Sequence, residues 1–178
     1  MKTNFKTAVA ATVATILLAG VTSVHAQETK PIQLALFNPV QIFKEDQSIQ
    51  GIRLNLIYGV NQDMTGIDVG FVNFTNNDFT GVQWGLVSVT HGSFVGWGDN
   101  MVNVVDGEMT GLQTGTYNGA GSSHGVQLGW VNRTTSMRGL QVGLVNYTEN
   151  ANGLQIGIAN IIRNGKFKVL PIVNWSFD

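Results

Sequence analysis

Two histidines stand beside serines in the sequence, which is the pairing that nucleophilic catalysis requires. His91 precedes Gly92-Ser93, and His124 follows Ser122-Ser123. Histidine can take the proton of a serine hydroxyl, but a third group, usually a carboxylate, has to orient its ring. The sequence places no acid beside either histidine, and both stand in segments typical of turns. We therefore predict a protein that is not an enzyme and has no catalytic residues.

Five aspartates could supply the oxygen ligands that calcium prefers. They are Asp63, Asp68, Asp78, Asp99 and Asp106. A calcium loop concentrates its acids at alternate positions of one short segment, whereas these are spread over several predicted turns. The chain has no cysteine, so disulfides and thiolate metal sites are excluded. We predict neither a metal site nor a cofactor site.

The glycines and the overall charge argue against a nucleotide-binding loop and against a nucleic-acid partner. Glycine-rich phosphate loops lead into the N-terminus of a helix, and no helical periodicity follows the 22 glycines of this chain. Without Lys2 and Lys6, which precede the cleavage site predicted below, the chain has more acidic than basic residues. Nucleic-acid binding needs a basic surface. We predict no nucleic-acid partner.

The elements that position these residues come from a repeat. From about residue 50 the chain repeats the phrase G-φ-Q-φ-G-φ-V-N, in which φ is apolar, every 14 or 15 residues. Clear copies begin at Gly81, Gly125, Gly139 and Gly153, and weaker copies at Gly51, Gly66, Gly96 and Gly111. A fixed short period is typical of a repeat architecture. Arg53 and Asp68 replace the Gln of successive copies. The Asn-X-Thr sequences at Asn73, Asn132 and Asn146 fall on the repeat's own Asn, so we do not interpret them as glycosylation sites.

Each copy has the alternation of a β-strand. Leu140, Val142 and Leu144 alternate with glycine and glutamine. Polar turn-forming clusters separate the copies, and Asn164-Gly165 is a strong hairpin signal. We predict an all-β fold in which about ten strands form an antiparallel up-and-down meander that closes into a barrel.

The alternative is a β-solenoid with one 14–15-residue repeat per coil. A 14-residue spacing fits an odd hairpin loop such as 149–151, and a 15-residue spacing fits an even loop such as 76–77. We expect a solenoid to accept a one-residue change in coil length less easily, which favours the meander. The meander places Gln141 opposite Ala159, whereas the solenoid stacks Gln141 on Gln155.

A barrel of this pattern suits an outer membrane, with the bulky residues towards lipid and Gly and Gln towards a polar lumen. Aromatic residues are available for the interfaces: Tyr58, Trp84, Trp97, Trp130, Tyr147 and Trp175. Apolar and aromatic residues alternate up to Phe177. Asp99, Thr114 and Thr116 interrupt the bulky face, so either a bulge shifts their strands or they face a partner rather than lipid.

The N-terminus predicts export. Lys2 and Lys6 precede an apolar stretch, and Ala26 provides the small residue of a cleavage site. We predict a signal peptide over residues 1–26 and a single repeat-built β domain over residues 27–178.

The opening 31–39 (PIQLALFNP), the G-L-Q-φ-G-L-V-N copies and the ending 170–177 (LPIVNWSF) resemble the bacterial exported surface-repeat proteins of Gram-negative envelopes. The resemblance implies an outer-membrane or cell-surface location and carries no functional residues. We predict a non-enzymatic outer-membrane or cell-surface β-repeat protein with a structural, adhesive or small-pore role. The alternative is a secreted or periplasmic β-solenoid that binds a polymer or a protein partner. The sequence leaves a small-molecule ligand and the oligomeric state open.

Overall fold

The computed structural model describes residues 29–177, which form one sheet and contain no helix. The strands are β1 (Lys30–Phe37), β2 (Val40–Gln41), β3 (Ile49–Asn61), β4 (Met64–Thr75), β5 (Phe79–Thr90), β6 (Phe94–Ile162) and β7 (Val169–Ser176). The all-β class is confirmed. Within these residues no helix is available that could span a membrane. The signal peptide predicted for residues 1–26 lies outside the described residues.

Successive repeats lie side by side and run in the same direction. Gly51 pairs with Gly66, and Gly66 pairs with Gly81, so residues 15 apart are neighbours in parallel strands. A chain can pair with itself in this way only if each repeat travels around a closed coil before returning beside the previous one. The fold is therefore a β-solenoid. The antiparallel meander closing into a barrel is wrong, and the alternative architecture is correct.

The change of spacing from 15 to 14 residues is absorbed in one turn of the coil. In the longer coil three residues separate the inward-pointing Thr90 and Phe94. In the shorter coil two residues separate the equivalent Thr134 and Met137. The inward positions therefore stay aligned although the coil length changes. The expectation that a solenoid would resist such a change was wrong because only an exposed turn has to adjust.

The Asn164-Gly165 hairpin signal is confirmed, but it describes only the end of the chain. These residues lie in the turn between β6 and β7, and β7 pairs antiparallel with the last coil of β6. β2 pairs antiparallel with β1 at the other end, after a turn that contains the cis Asn38-Pro39 peptide bond. Antiparallel strands thus stand at both ends of the sheet.

The close distance between coils explains the first glycine of the repeat and favours glycine at the second position. Eight glycines at the first position have φ between 121° and 159°, a conformation that residues with a side chain rarely adopt. A Cβ at Gly66 would lie 2.0 Å from the carbonyl oxygen of Gly51. At the second position, a Cβ at Gly143 would lie 2.2 Å from the carbonyl oxygen of Gly129. The first position cannot hold a side chain without separating the coils, whereas buried asparagines, Asn55 and Asn100, take the second position in two coils.

The interior of the solenoid is largely polar. The side chain of Gln155 donates to Gln141, and that of Asn132 donates to Asn146, both over 2.8 Å. An amide carries both donors and acceptors, so stacked amides satisfy one another from coil to coil. Asn132 and Asn146 are fully buried, as is Asn73, so the folded chain does not present its Asn-X-Thr sequences. The Gly and Gln side of the strands is therefore the interior.

A smaller apolar column completes the interior beside the turns. Buried side chains from successive coils form it: Ile49, Met64, Phe79, Phe94, Val105 and Met109. Within it the rings of Phe79 and Phe94 stack with centroids 4.9 Å apart. Met137, Ala151 and Ile162 form a second cluster towards the C-terminal end. The remaining large apolar residues lie mostly on the outside.

Candidate functional site

Both histidines have an acidic partner one coil away. His91 Nδ1 lies 2.7 Å from Asp106 Oδ2, and His124 Nδ1 lies 3.0 Å from Glu108 Oε1. The expectation that no acid orients either ring was wrong. The repeat spacing carried the signal, because residues about 15 apart are neighbours in a solenoid. All four side chains are well exposed, and over residues 29–177 neither ring is hydrogen-bonded to a serine hydroxyl.

The aspartates considered as calcium ligands do not converge. Asp63 accepts a hydrogen bond from the backbone N–H of Asp78, and Asp78 accepts one from that of Ser93. These bonds tie successive turns together. Asp68 lies in the interior against Arg53. Across the part of the chain that the structure describes, no three His, Asp or Glu residues are grouped so that they could hold a metal ion.

Many of the exposed and half-buried apolar residues lie on one side of the solenoid, here called the apolar face. It consists of the outward residues that alternate with the buried glutamines: Ile32, Leu34, Leu36, Ile52, Leu54, Leu56, Ile67, Val69, Phe71, Val82, Trp84, Leu86, Trp97, Met101, Leu112, Val126, Leu128, Trp130, Leu140, Val142, Leu144, Leu154, Ile156 and Ile158. Trp130 is 65% exposed and Ile158 is 72% exposed. With strands about 4.8 Å apart and about 3.3 Å per residue, the face measures roughly 40 Å by 17 Å.

The edge of the apolar face is marked by pairs of consecutive outward residues. Leu144 and Val145 are both exposed, and Asn146 is buried again. Two adjacent outward side chains cannot belong to one flat strand, so the chain turns a corner between them. Leu144 therefore belongs to the apolar face and Val145 to the next side of the coil.

A polar group sits in the middle of the apolar face. Asp99 pairs with Trp84 of the preceding coil in an unshifted register, so no bulge turns its strand, and its side chain is exposed. The Thr114 hydroxyl donates to Asp99 Oδ1 over 2.5 Å, and Trp97 Nε1 donates to Thr114 Oγ1 over 3.4 Å. Of the two explanations considered for Asp99, Thr114 and Thr116, the bulge is wrong for Asp99. The carboxylate faces outwards.

The N-terminal end of the apolar face is a groove of about 990 Å³. Its lining comes from β1, from the segment around β2 and from the first coils: Leu34, Ala35, Leu36, Val40, Gln41, Ile42, Leu54, Asn55, Leu56, Val69, Gly70, Phe71, Trp84, Gly85 and Leu86. Eleven of these fifteen residues are apolar and none is charged. Val40 and Ile42 are 50% and 58% exposed, so their side chains are available to a ligand.

The sequence indicated the composition of this surface but not its shape. The bulky residues were predicted to face outwards in a membrane barrel, and they do face outwards, on a solenoid. The groove was missed because β2 belongs to no repeat. The only signal was an unusually long connection after β1, whose position over the sheet depends on the tertiary structure.

No protein-family model, no curated protein and no solved structure matches this chain. The fold and the surface define the class of this protein: it is a β-solenoid with a polar interior and an exposed apolar face. The resemblance to exported surface-repeat proteins stays a prediction.

Proposed function

We propose that this chain is an exported, non-enzymatic β-solenoid that binds a protein partner of the bacterial envelope through its apolar face. The exposed apolar face is the observation that carries the proposal. Contiguous apolar surface beyond a few hundred Å² marks an interaction site, and the dimensions of this face amount to roughly 680 Å². The export part rests on the signal peptide predicted over residues 1–26.

The size and chemistry of the face favour a protein partner. A standard protein interface buries about 800 Å² on each side, close to the area of this face. Trp84, Trp97 and Trp130 are exposed on it, and tryptophan is enriched among residues that dominate binding energy. A polysaccharide would require many hydrogen-bonding side chains. The face offers chiefly Asp99, Thr114 and Thr116.

The two sides of the corner provide a matched test. Leu144→Glu places a charge on the apolar face, and Val145→Glu places the same charge one residue away on the next side of the coil. Leu144 and Val145 are 48% and 37% exposed, so both variants should fold. Leu144→Glu should lower retention of the purified protein on isolated envelopes at least tenfold. Val145→Glu should leave retention unchanged, and equal retention of the two variants would refute a role for the face.

The nature of the partner is tested with the same assay. Protease treatment of the envelopes before the protein is added should abolish retention, because the binding partner is then removed. Vesicles made from extracted envelope lipids should retain little protein. Retention on such vesicles equal to that on intact envelopes would show that the face binds a lipid surface and not a protein.

A further inference from the structure

The groove at the N-terminal end of the apolar face offers a ligand almost no polar contacts. The amide of Gln41 bonds to the backbone of Phe43 and Val60, and that of Asn55 donates to Asp68 and Asn73. Leu34, Leu54, Val69 and Trp84 of the floor pair in the parallel ladders between β1, β3, β4 and β5, whereas Leu36, Leu56, Phe71 and Leu86 have no pairing in these ladders. A ligand in the groove therefore contacts mainly apolar side chains.

This lining selects against peptides and sugars. A peptide would leave its backbone N–H and C=O groups without partners in the groove, and a sugar would leave its hydroxyls without partners. The volume of about 990 Å³ is in the range of small-molecule sites. A long unbranched hydrocarbon chain is the ligand that satisfies both the volume and the absence of polar contacts.

The groove also has a polar end. Its lining along the sheet ends at Trp84 and Leu86, and the next strand carries Asp99 at the position that pairs with Trp84. Asp99 accepts from Thr114 and remains exposed, so its carboxylate can accept a further hydrogen bond. A carboxylate favours a hydroxyl donor and repels another carboxylate.

We propose that this groove binds the acyl chain of a single-chain lipid whose head group is neutral and bears hydroxyls. The chain lies between the β2 segment and the strands of the apolar face, and the head group lies beside Asp99. The site rests on the proposed binding role of the apolar face, because the groove is part of that face. The ligand is a dispersed single molecule and not a bilayer.

The first experiment titrates the mature protein with monoacylglycerols of increasing chain length, below their aggregation concentrations, by calorimetry. Each added methylene should tighten binding about fourfold until the groove is filled, after which the affinity should level off. Heat-capacity changes should be negative, as expected for apolar burial. No binding at any chain length, or binding independent of chain length, would overturn the proposal.

The second experiment tests the polar end. A monoacylglycerol should bind about fivefold more tightly than the ionised fatty acid of the same chain length, because the fatty-acid carboxylate lies near Asp99. Asp99→Asn should remove most of this preference by strengthening fatty-acid binding. An unchanged preference in Asp99→Asn would show that the head group does not lie beside this residue.

Two groove variants separate this site from the proposed protein interface. Ile42→Ser and Phe71→Ser remove exposed apolar side chains from the two sides of the groove and should each weaken lipid binding at least tenfold. Leu144→Glu, at the other end of the apolar face, should leave lipid binding unchanged while it lowers envelope retention. If both serine variants bound lipid as tightly as the wild type, the groove would not be the lipid site, even if Leu144→Glu lowered envelope retention as proposed.

Discussion

The guanidinium of Arg53 and the carboxylate of Asp68 form a two-point ion pair inside the solenoid. Arg53 Nε and Nη2 donate to the two oxygens of Asp68 over 2.8 and 2.7 Å, and both side chains are fully buried. The two residues occupy the same place in successive coils, and Gln83 of the following coil also donates to Asp68. This charged pair thus replaces two amides of a column that is otherwise lined by glutamines, apart from Gly98, and it couples neighbouring coils in register.

Removing one member of this ion pair should lower the free energy of unfolding far more than replacing both members with neutral residues. Arg53→Met leaves the Asp68 carboxylate buried without its cation, which typically destabilises a protein by about 3–5 kcal/mol. The double variant Arg53→Gln with Asp68→Gln restores the amides of the repeat and should lie within about 1 kcal/mol of the wild type. Urea denaturation gives both free energies of unfolding. A double variant as unstable as Arg53→Met would contradict this account.

The first glycine of the repeat should not tolerate a methyl group. Gly81 has φ 141°, and its Cβ would lie 1.9 Å from the carbonyl oxygen of Gly66. Gly81→Ala should lower the free energy of unfolding by about 3 kcal/mol or more. Gly119→Ala is the control, because the nearest atoms belong to the side chain of Tyr117. Gly119→Ala should lower the free energy of unfolding by about 1 kcal/mol or less in the same denaturation experiment. A Gly81→Ala variant as stable as Gly119→Ala would argue against such a close approach of the coils.

Cysteine pairs can distinguish the solenoid from the meander in solution. The chain has no cysteine, so any disulfide that forms in a double-cysteine variant joins the two introduced residues. Leu144 and Ile158 are stacked neighbours in the solenoid, about 4.8 Å apart, and both side chains are exposed. Leu144→Cys with Ile158→Cys should form a disulfide under mild oxidation, detected by mass spectrometry.

The control for this crosslink is Leu144→Cys with Ile156→Cys. The meander would pair these residues directly, whereas in the solenoid they are diagonal neighbours beyond disulfide reach. This control should stay reduced. Gly143 and Gly157 would be poor crosslinking sites, because both architectures place them side by side.

The signal peptide predicted over residues 1–26 can be tested at its cleavage site. Mass spectrometry of the protein recovered from the envelope fraction should find Gln27 as the N-terminal residue, because Ala26 provides the small residue at the cleavage site. An Ala26→Arg variant should impair this cleavage and leave a longer chain. Envelope-associated protein that still begins with Met1 would instead indicate an uncleaved anchor.

Strands and their sidedness could be predicted from the sequence because alternation is local. Leu140, Val142 and Leu144 point to one side of their strand and Gln141 to the other, whatever the strand pairs with. The direction of pairing is not local. The meander, which pairs Gln141 with Ala159, and the solenoid, which stacks Gln141 on Gln155, both satisfy the same alternation. The observed hydrogen bond from Gln155 to Gln141 shows that the solenoid pairing is the correct one.

The repeat by itself determined the strand content, the 14–15-residue period and the division into a bulky side and a Gly-Gln side. The tertiary structure decided that these strands coil in parallel, that the inward Gly-Gln side forms a packed interior and not a barrel lumen, and that His91 meets Asp106. It also decided that the segment around β2 joins the apolar face to form a groove. The physical reason is that alternation acts within a strand, whereas stacking depends on contacts between residues a whole coil apart.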